Sequence, residues 1–177
     1  MAHDIGDAVA ELLDRDVTAI HRLSGGDVSD AFRVDLGDGD RVFAKTHGDP
    51  PPHFFSTEAT GLQWLRDSAE VSDAAVGVPR VLATADDLLV LEWIEQGPSI
   101  PSTDEDFGRA LAAIHRVGAP TFGRTDRRTT GSRALPNAPC DSWSEFYASM
   151  RLEPLARLAL DSGALSRTAV DRIRVLA

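Results

Sequence analysis

The chain has 177 residues, 42% apolar and 26% charged, which is an ordinary composition for one globular domain or a small two-lobed one. Its net charge of −10 argues against nucleic acid or an anionic membrane as the main partner, because both require a basic surface. We expect no membrane span and no secretion, because the sequence shows no apolar run long enough to span a bilayer and no charged-then-apolar leader pattern. Its one cysteine, Cys140, excludes an internal disulfide. We therefore expect a protein of the reducing cytoplasm.

The first third of the chain predicts a three-stranded antiparallel meander. A short amphipathic helix at 5–13 precedes strands at 16–23, 31–36 and 41–46. The segment Gly37–Asp40 between the last two strands has the composition of a hairpin turn.

A helix and two further strands are predicted next. Residues 54–66 carry apolar residues at helical spacing, and Glu58 falls on the apolar stripe rather than opposite it. Residues 68–77 are expected to form a polar loop. Strands follow at 78–82 and 88–94, and the second is apolar almost throughout, as a strand covered on both faces would be.

The remainder of the chain is predicted to be helical. A linker at 96–102 contains glycine and proline, and Thr103 with Asp106 resembles a capping pair. The helix that follows has Phe107, Ala110, Leu111 and Ile114 on one face. These patterns predict a sheet lobe at 1–95, a hinge linker at 96–102 and part of a helical lobe at 103–177.

Residues 116–141 are rich in Gly, Pro, Thr and Arg and are expected to be irregular. Ser142 and Glu145 form a capping box that begins a helix, which Pro154 bends or ends. Further helices are predicted at 155–160 and 168–176.

Lys45 is the only lysine among 18 basic residues. Strand alternation places it on the same side as Phe43, where a compact point charge would be unusual unless it has a partner or a ligand. With a nucleoside triphosphate, Gly25 and Gly26 would let backbone amides approach the phosphates, and Lys45 would neutralise phosphate charge. An ion pair between Glu58 and Lys45 would avoid an unpaired carboxylate on an apolar stripe.

The end of the last apolar strand, Glu92-Trp93-Ile94, could offer backbone N–H and C=O groups to an adenine edge. Each feature also has an ordinary structural interpretation. A glycine pair commonly forms a hairpin turn, and Lys45 or Glu58 could be solvated at the edge of its element.

The order and spacing of these segments resemble the fructosamine kinase (ketosamine-3-kinase) family, which is related to the aminoglycoside and choline kinases. The segments that carry the resemblance are Gly25–Arg33, Phe43–Lys45, Glu58–Leu62, Val78–Leu82, Leu89–Ile94 and Leu111–Arg116. A later signature comprises Phe122–Gly123, Gly131–Ser132, Pro136–Asn137, Trp143–Tyr147 and Arg151–Leu152. The resemblance extends over nearly the whole chain.

The resemblance implies an α+β, protein-kinase-like fold: a five-stranded antiparallel sheet lobe with one inserted helix, followed by the start of a helical lobe. It implies a kinase that uses ATP and Mg²⁺ to phosphorylate a hydroxyl of a sugar-derived ketoamine, a glycated amine. The residues that it assigns to nucleotide binding are Gly25, Gly26, Asp27, Lys45, Glu58, Glu92, Trp93 and Ile94.

The chain departs from the family where catalysis is expected. Members place the catalytic aspartate in a His-Gly-Asp loop, with a later asparagine and a second aspartate for Mg²⁺. Past the linker this sequence has no such run, and its only asparagine is Asn137. His47-Gly48-Asp49 lies in the wrong lobe, and Asp106-Phe107-Gly108 falls in a predicted amphipathic helix. The catalytic base is therefore unknown, and the metal ligands are expected outside this chain.

Two other functions stay open at this level. The chain could be a nucleotide-binding or scaffold module without catalysis, or part of a phosphotransferase for an aminoglycoside, choline or homoserine. The expected partner is a small-molecule substrate, a glycated amine or a related compound, with no nucleic acid or membrane. Apolar surface on an incomplete helical lobe would also favour self-association.

Overall fold

The computed structural model describes residues 2–24, 28–98, 100–125 and 135–176. The chain divides into two compact units, Met1–Gly118 and Ala119–Ala177. In the described ranges, no helix is both long and apolar enough to cross a membrane.

The first unit combines five strands with three helices in its described part. In chain order these are α1 (Ala2–Leu13), β1 (Val17–Leu23), β2 (Asp30–Leu36), β3 (Arg41–Thr46), α2 (Phe54–Ser72), β4 (Val81–Thr84), β5 (Leu88–Glu92) and α3 (Thr103–Val117). The strands form one sheet in the order β1-β2-β3-β5-β4, and every neighbouring pair is antiparallel. The predicted α+β class, the initial meander and the added strand pair are confirmed.

The β2–β3 connection is a tight hairpin turn, as its sequence predicts. Leu36 N–H donates to Asp40 C=O at 2.8 Å, and Gly39 has a φ of 91°. A left-handed backbone at this position favours glycine, because a Cβ would be strained there. The turn thereby sets the register that pairs Asp35 with Arg41 and Ala31 with Lys45.

The sheet buries a hydrophobic cluster on each face. The first cluster combines α1 with the sheet and contains Ile5, Val9, Val34, Leu36, Val42, Ala44, Leu88 and Val90. The second cluster combines α2 with the sheet and contains Phe55, Leu89 and Leu91, with Phe43, Ala59 and Leu62 packed against it. Successive β5 residues therefore enter opposite clusters, which explains why that strand is apolar at nearly every position.

Helix α2 is longer than its sequence pattern predicts. It continues to Ser72, through part of the segment 68–77 that was expected to be a polar loop. Ser68 and Ala69 are buried, so tertiary packing supports the extra turns in spite of their polar sequence. The helix ends at Asp73, which adopts a left-handed conformation and donates its N–H to Ala69 C=O and Glu70 C=O.

Helix α3 begins where predicted but is capped differently. Ser102 is the N-cap residue and makes no side-chain capping bond, whereas Thr103 Oγ1 accepts a hydrogen bond from Ile100 N–H at 2.9 Å. The predicted apolar face is only partly buried, because Ala110 and Ile114 are covered while Phe107 and Leu111 remain exposed. Helix α3 packs against α2 within the first unit. The division at 95 and 103 remains a prediction.

The second unit is mostly helical in its described part. It contains α4 (Trp143–Tyr147), a π-helical turn (Ala148–Leu152), α5 (Glu153–Asp161) and α6 (Arg167–Leu176). Glu145 N–H donates to Ser142 Oγ at 3.2 Å, so the predicted cap of α4 is present. Pro154 lies in the first turn of α5, where proline is tolerated, and the chain stays helical through it.

Candidate functional site

Lys45 and Glu58 form a two-contact ion pair between β3 and α2. Lys45 Nζ lies 3.0 Å from Glu58 Oε1 and 2.9 Å from Oε2. Their side chains are 27% and 32% exposed, so the pair is partly shielded but still open to a ligand. The sequence-based prediction of this ion pair is confirmed.

The packing around the pair determines the direction of the ammonium group. Phe43, two residues before Lys45 on the same strand face, packs against the second cluster with Phe55. Lys45 is also paired in register with Ala31 on β2 and Leu89 on β5. Because both neighbours are small or apolar, Glu58 is the charged side chain that orients Lys45.

Strand β1 ends and strand β2 begins close to this pair in the sheet. Gly25, Gly26 and Asp27 lie outside the described residues. The strands that flank them are paired through Leu23 and Ala31, and Ala31 is also the register partner of Lys45. The end of β1 and the start of β2 therefore lie next to the strand position of the lysine.

The segment after β5 carries the other predicted nucleotide contacts, Glu92, Trp93 and Ile94. Glu92 is already engaged, since its N–H donates to Arg80 C=O at 2.9 Å and its Oε2 accepts from Arg80 N–H at 3.2 Å. Across the ranges that the structure describes, no hydrogen bond uses the backbone groups of Trp93 or Ile94. The backbone N–H and C=O groups of Trp93 and Ile94 are therefore available to a ligand, whereas Glu92 has only its C=O available.

A charged cluster that sequence reasoning missed lies on the same sheet face as Lys45. Asp35 Oδ1 lies 3.0 Å from Arg33 Nε and 3.8 Å from Arg41 Nε, and Asp35 Oδ2 lies 3.1 Å from His21 Nε2. Burial raises the pKa of Asp35, but hydrogen bonds from Arg33 and His21 outweigh burial and hold it below its usual value. Strand alternation was the available signal, because Arg41, Phe43 and Lys45 share one face.

The second unit brings together several residues of the later signature. Phe122 and Cys140 form an antiparallel bridge, and Asn137 Nδ2 donates to Arg124 C=O at 2.8 Å. Arg151, in the π-helical turn, donates to Asn137 Oδ1 at 2.6 Å and to Pro136 C=O at 2.8 Å. Arg151 therefore holds the backbone and side chain of the Pro136–Asn137 segment, a contact that the sequence did not predict.

Aromatic rings complete this part of the second unit. Trp143 stacks on Tyr147 with 5.3 Å between ring centroids and contacts Phe122 and Phe146 at 5.9 Å each. The Arg151 guanidinium lies 4.6 Å from the centre of the Phe146 ring. Gly131 and Ser132 of the same signature lie outside the described residues.

Two short motifs match kinase catalytic motifs in sequence, but neither lies at a catalytic position in this structure. Asp106-Phe107-Gly108 lies within α3, and His47-Gly48-Asp49 lies in the connection after β3. There His47 Nδ1 accepts a hydrogen bond from Asp49 N–H at 3.1 Å. Among the described residues, no group of three or more His, Cys, Asp or Glu side chains could hold a metal ion.

A five-stranded antiparallel sheet with a lysine on its third strand and a glutamate on the following helix defines a protein-kinase-like fold. The family model described as fructosamine kinase matches residues 1–175, and the chain therefore belongs to the fructosamine kinase family.

Curated relatives support this assignment over part of their length. A probable ketoamine kinase of Thermus thermophilus is 34% identical over 139 residues, which cover 78% of this chain and 47% of the relative. A probable ketoamine kinase of Lactiplantibacillus plantarum is 29% identical over 164 residues, which cover 90% of this chain and 55% of the relative. The chain spans about half the length of these relatives.

Solved structures show the same fold. A "putative fructosamine-3-kinase" from Thermobifida fusca has a TM-score of 0.80 and 34% identity, and the match covers 97% of this chain and 59% of that one. A second "putative fructosamine-3-kinase", from Haemophilus somnus, has a TM-score of 0.76 with 20% identity and covers 96% of this chain and 58% of that one. At that identity the second match supports the fold alone.

Proposed function

We propose that this chain forms the nucleotide-binding part of an ATP-dependent kinase that phosphorylates a hydroxyl of a sugar-derived ketoamine. The ion pair between Lys45 and Glu58 carries the proposal, because it presents an oriented ammonium group on the sheet of a fructosamine kinase family member. The relatives' names support the ketoamine as acceptor. The proposed setting is the cytoplasm, with a small molecule as the partner.

Each proposed nucleotide contact has a separate chemical task. Lys45 would neutralise phosphate charge, and Glu58 would keep the ammonium in place. Gly25, Gly26 and Asp27 would supply backbone amides to the phosphates. In the segment after β5, Trp93, Ile94 and the C=O of Glu92 would meet the nucleobase edge.

Mg²⁺ is proposed as the companion of ATP, where it would neutralise phosphate charge. The described residues supply no ligand cluster for it. As the family resemblance implies, the metal ligands and the catalytic base are proposed to lie outside this chain.

Calorimetric titration with MgATP tests the role of Lys45. Lys45→Met should weaken ATP binding by about tenfold or more, because a charge-assisted phosphate contact is lost. Arg157→Met is the matched control, since Arg157 is 80% exposed and lies on α5 of the second unit. It should change the affinity by less than about twofold. Equal affinities for Lys45→Met and the unaltered chain would refute the proposal.

The non-catalytic module remains the second candidate, because the sequence past residue 102 contains no His-Gly-Asp run. A phosphotransfer assay with a fructose-derived ketoamine and labelled ATP tests the module. Product formation by this chain excludes it. ATP binding without product is expected from both functions, because the catalytic base is proposed to lie outside this chain.

A further inference from the structure

The charged cluster around Asp35 lies along the proposed nucleotide site rather than behind it. Arg41, Phe43 and Lys45 alternate onto one face of β3, so Arg41 is about 13 Å from Lys45 along the strand. Asp35 is the direct register partner of Arg41 on β2. The cluster therefore lies at the end of this face that is remote from the phosphate-binding lysine.

Arg41 also reaches the segment that follows β5. Its Nη1 donates to Glu95 Oε1 at 2.7 Å, while its Nε lies 3.8 Å from Asp35 Oδ1. Glu95 comes directly after Trp93 and Ile94, whose backbone groups have no hydrogen-bond partner among the described residues. Arg41 is thus the side chain that joins the sheet to this open stretch of backbone.

We propose that Arg41 is a positioning residue for the nucleobase end of the site, holding the backbone of Trp93 and Ile94 through Glu95. The proposal rests on the proposed ATP-binding function. A segment held in place before the ligand arrives loses less conformational freedom on binding, so the affinity for the base increases. Asp35 holds the Arg41 guanidinium from the sheet side.

The proposal separates two contributions to ATP affinity. Lys45 acts on the phosphates. Arg41 does not contact the base; it acts by positioning the backbone that does. Because Arg41 is 47% exposed and Glu95 is 70% exposed, the ion pair is solvent-screened and its effect on affinity is modest, about two- to fivefold.

Titrations with MgATP and with inorganic tripolyphosphate in Mg²⁺ test this role. Arg41→Gln should weaken ATP binding by about two- to fivefold and leave tripolyphosphate binding unchanged. Glu95→Gln should have the same effect, and the double variant should lose no more than either single variant, because each substitution breaks the same Arg41–Glu95 ion pair. Arg109→Gln is the control, since it removes an exposed ion pair on α3.

The remaining outcomes contradict the proposal in distinguishable ways. Equal losses for ATP and tripolyphosphate in Arg41→Gln would indicate a general charge effect and overturn the positioning role. ATP binding that Lys45→Met weakens but Arg41→Gln leaves intact would overturn this inference alone. Absence of ATP binding to the unaltered chain would overturn the proposed function together with it.

Discussion

Gly123 occupies a position in the second unit that no other residue fits. Its φ is 98°, and an added Cβ would lie 2.6 Å from Ala138 O and 2.8 Å from Phe146 Cε2. Gly123→Ala should lower the free energy of unfolding by about 2 kcal/mol or more, because backbone strain and a steric clash add together. Urea unfolding followed by circular dichroism measures the change.

Gly108→Ala is the control for this substitution. Gly108 is exposed within α3, and its added Cβ would meet nothing within 4 Å. Alanine there should stabilise the chain by up to about 1 kcal/mol, because glycine is a poor helix former. A Gly123→Ala variant as stable as the unaltered chain would show that the second unit adjusts at Ala138.

Asp35 makes stability depend on pH in the acid range. Its folded-state pKa is depressed, so its stabilising contribution is present above the unfolded-state pKa of about 3.9 and is lost as pH falls through the folded value. Asp35→Asn should therefore destabilise the chain at pH 7, and the difference from the unaltered chain should shrink as pH falls below about 4. Urea unfolding at a series of pH values measures both. A difference that stays constant down to pH 2 would contradict the depressed pKa.

The C-terminal end of α2 contains a residue in an unfavourable conformation. Asp73 has a φ of 51°, and the helix uses its N–H to cap two carbonyls. Asp73→Gly should stabilise the chain by about 0.5–1 kcal/mol, because glycine adopts the left-handed conformation without a Cβ penalty and keeps the N–H. Thermal and urea unfolding would detect the gain.

Asp67→Gly is the comparison for Asp73→Gly, because it introduces a glycine inside α2 instead of at its C-terminal cap. It should destabilise by about 1 kcal/mol, because glycine is unfavourable in a helix interior. It also removes the hydrogen bond that Gln63 Nε2 donates to Asp67 at 2.7 Å. Destabilisation by both substitutions would show that the Asp73 side chain, rather than its backbone conformation, is needed.

The helices show which features of secondary structure a local sequence pattern can predict and which it cannot. The Ser142 cap follows directly from a four-residue motif, because the side chain and the N–H that it binds are three residues apart. The extension of α2 through Ser68 was not predictable from that stretch alone. Its polar composition favours a loop, and only burial in the folded unit supports a helix there.

At the scale of the whole molecule, the first unit contains its own hydrophobic cores. All residues of both clusters lie within Met1–Gly118, and so do Lys45 and Glu58. A fragment of residues 1–118 should therefore unfold cooperatively in urea. It should also retain the ion-pair site, so its MgATP affinity should match that of the full chain.

A non-cooperative transition of the fragment in far-ultraviolet circular dichroism would contradict this prediction. A second fragment, residues 1–95, serves as the comparison because it follows the sequence-based lobe boundary and lacks α3. Helix α3 packs against α2, so this shorter fragment should be the less stable of the two. Equal stability would support the boundary at 95 instead.

The sequence by itself determined the sheet and the central ion pair. Alternation and turn composition act over neighbouring residues, and a single lysine and a glutamate on an apolar stripe left few other partners for each. Contacts between distant segments were decided only by the tertiary structure. Arg41 binds Glu95, which is 54 residues away in sequence, because strand register brings the two together. Arg151 lies in a π-helical turn and binds Asn137, which is 14 residues away. No local pattern specifies such contacts, since they depend on how complete elements pack.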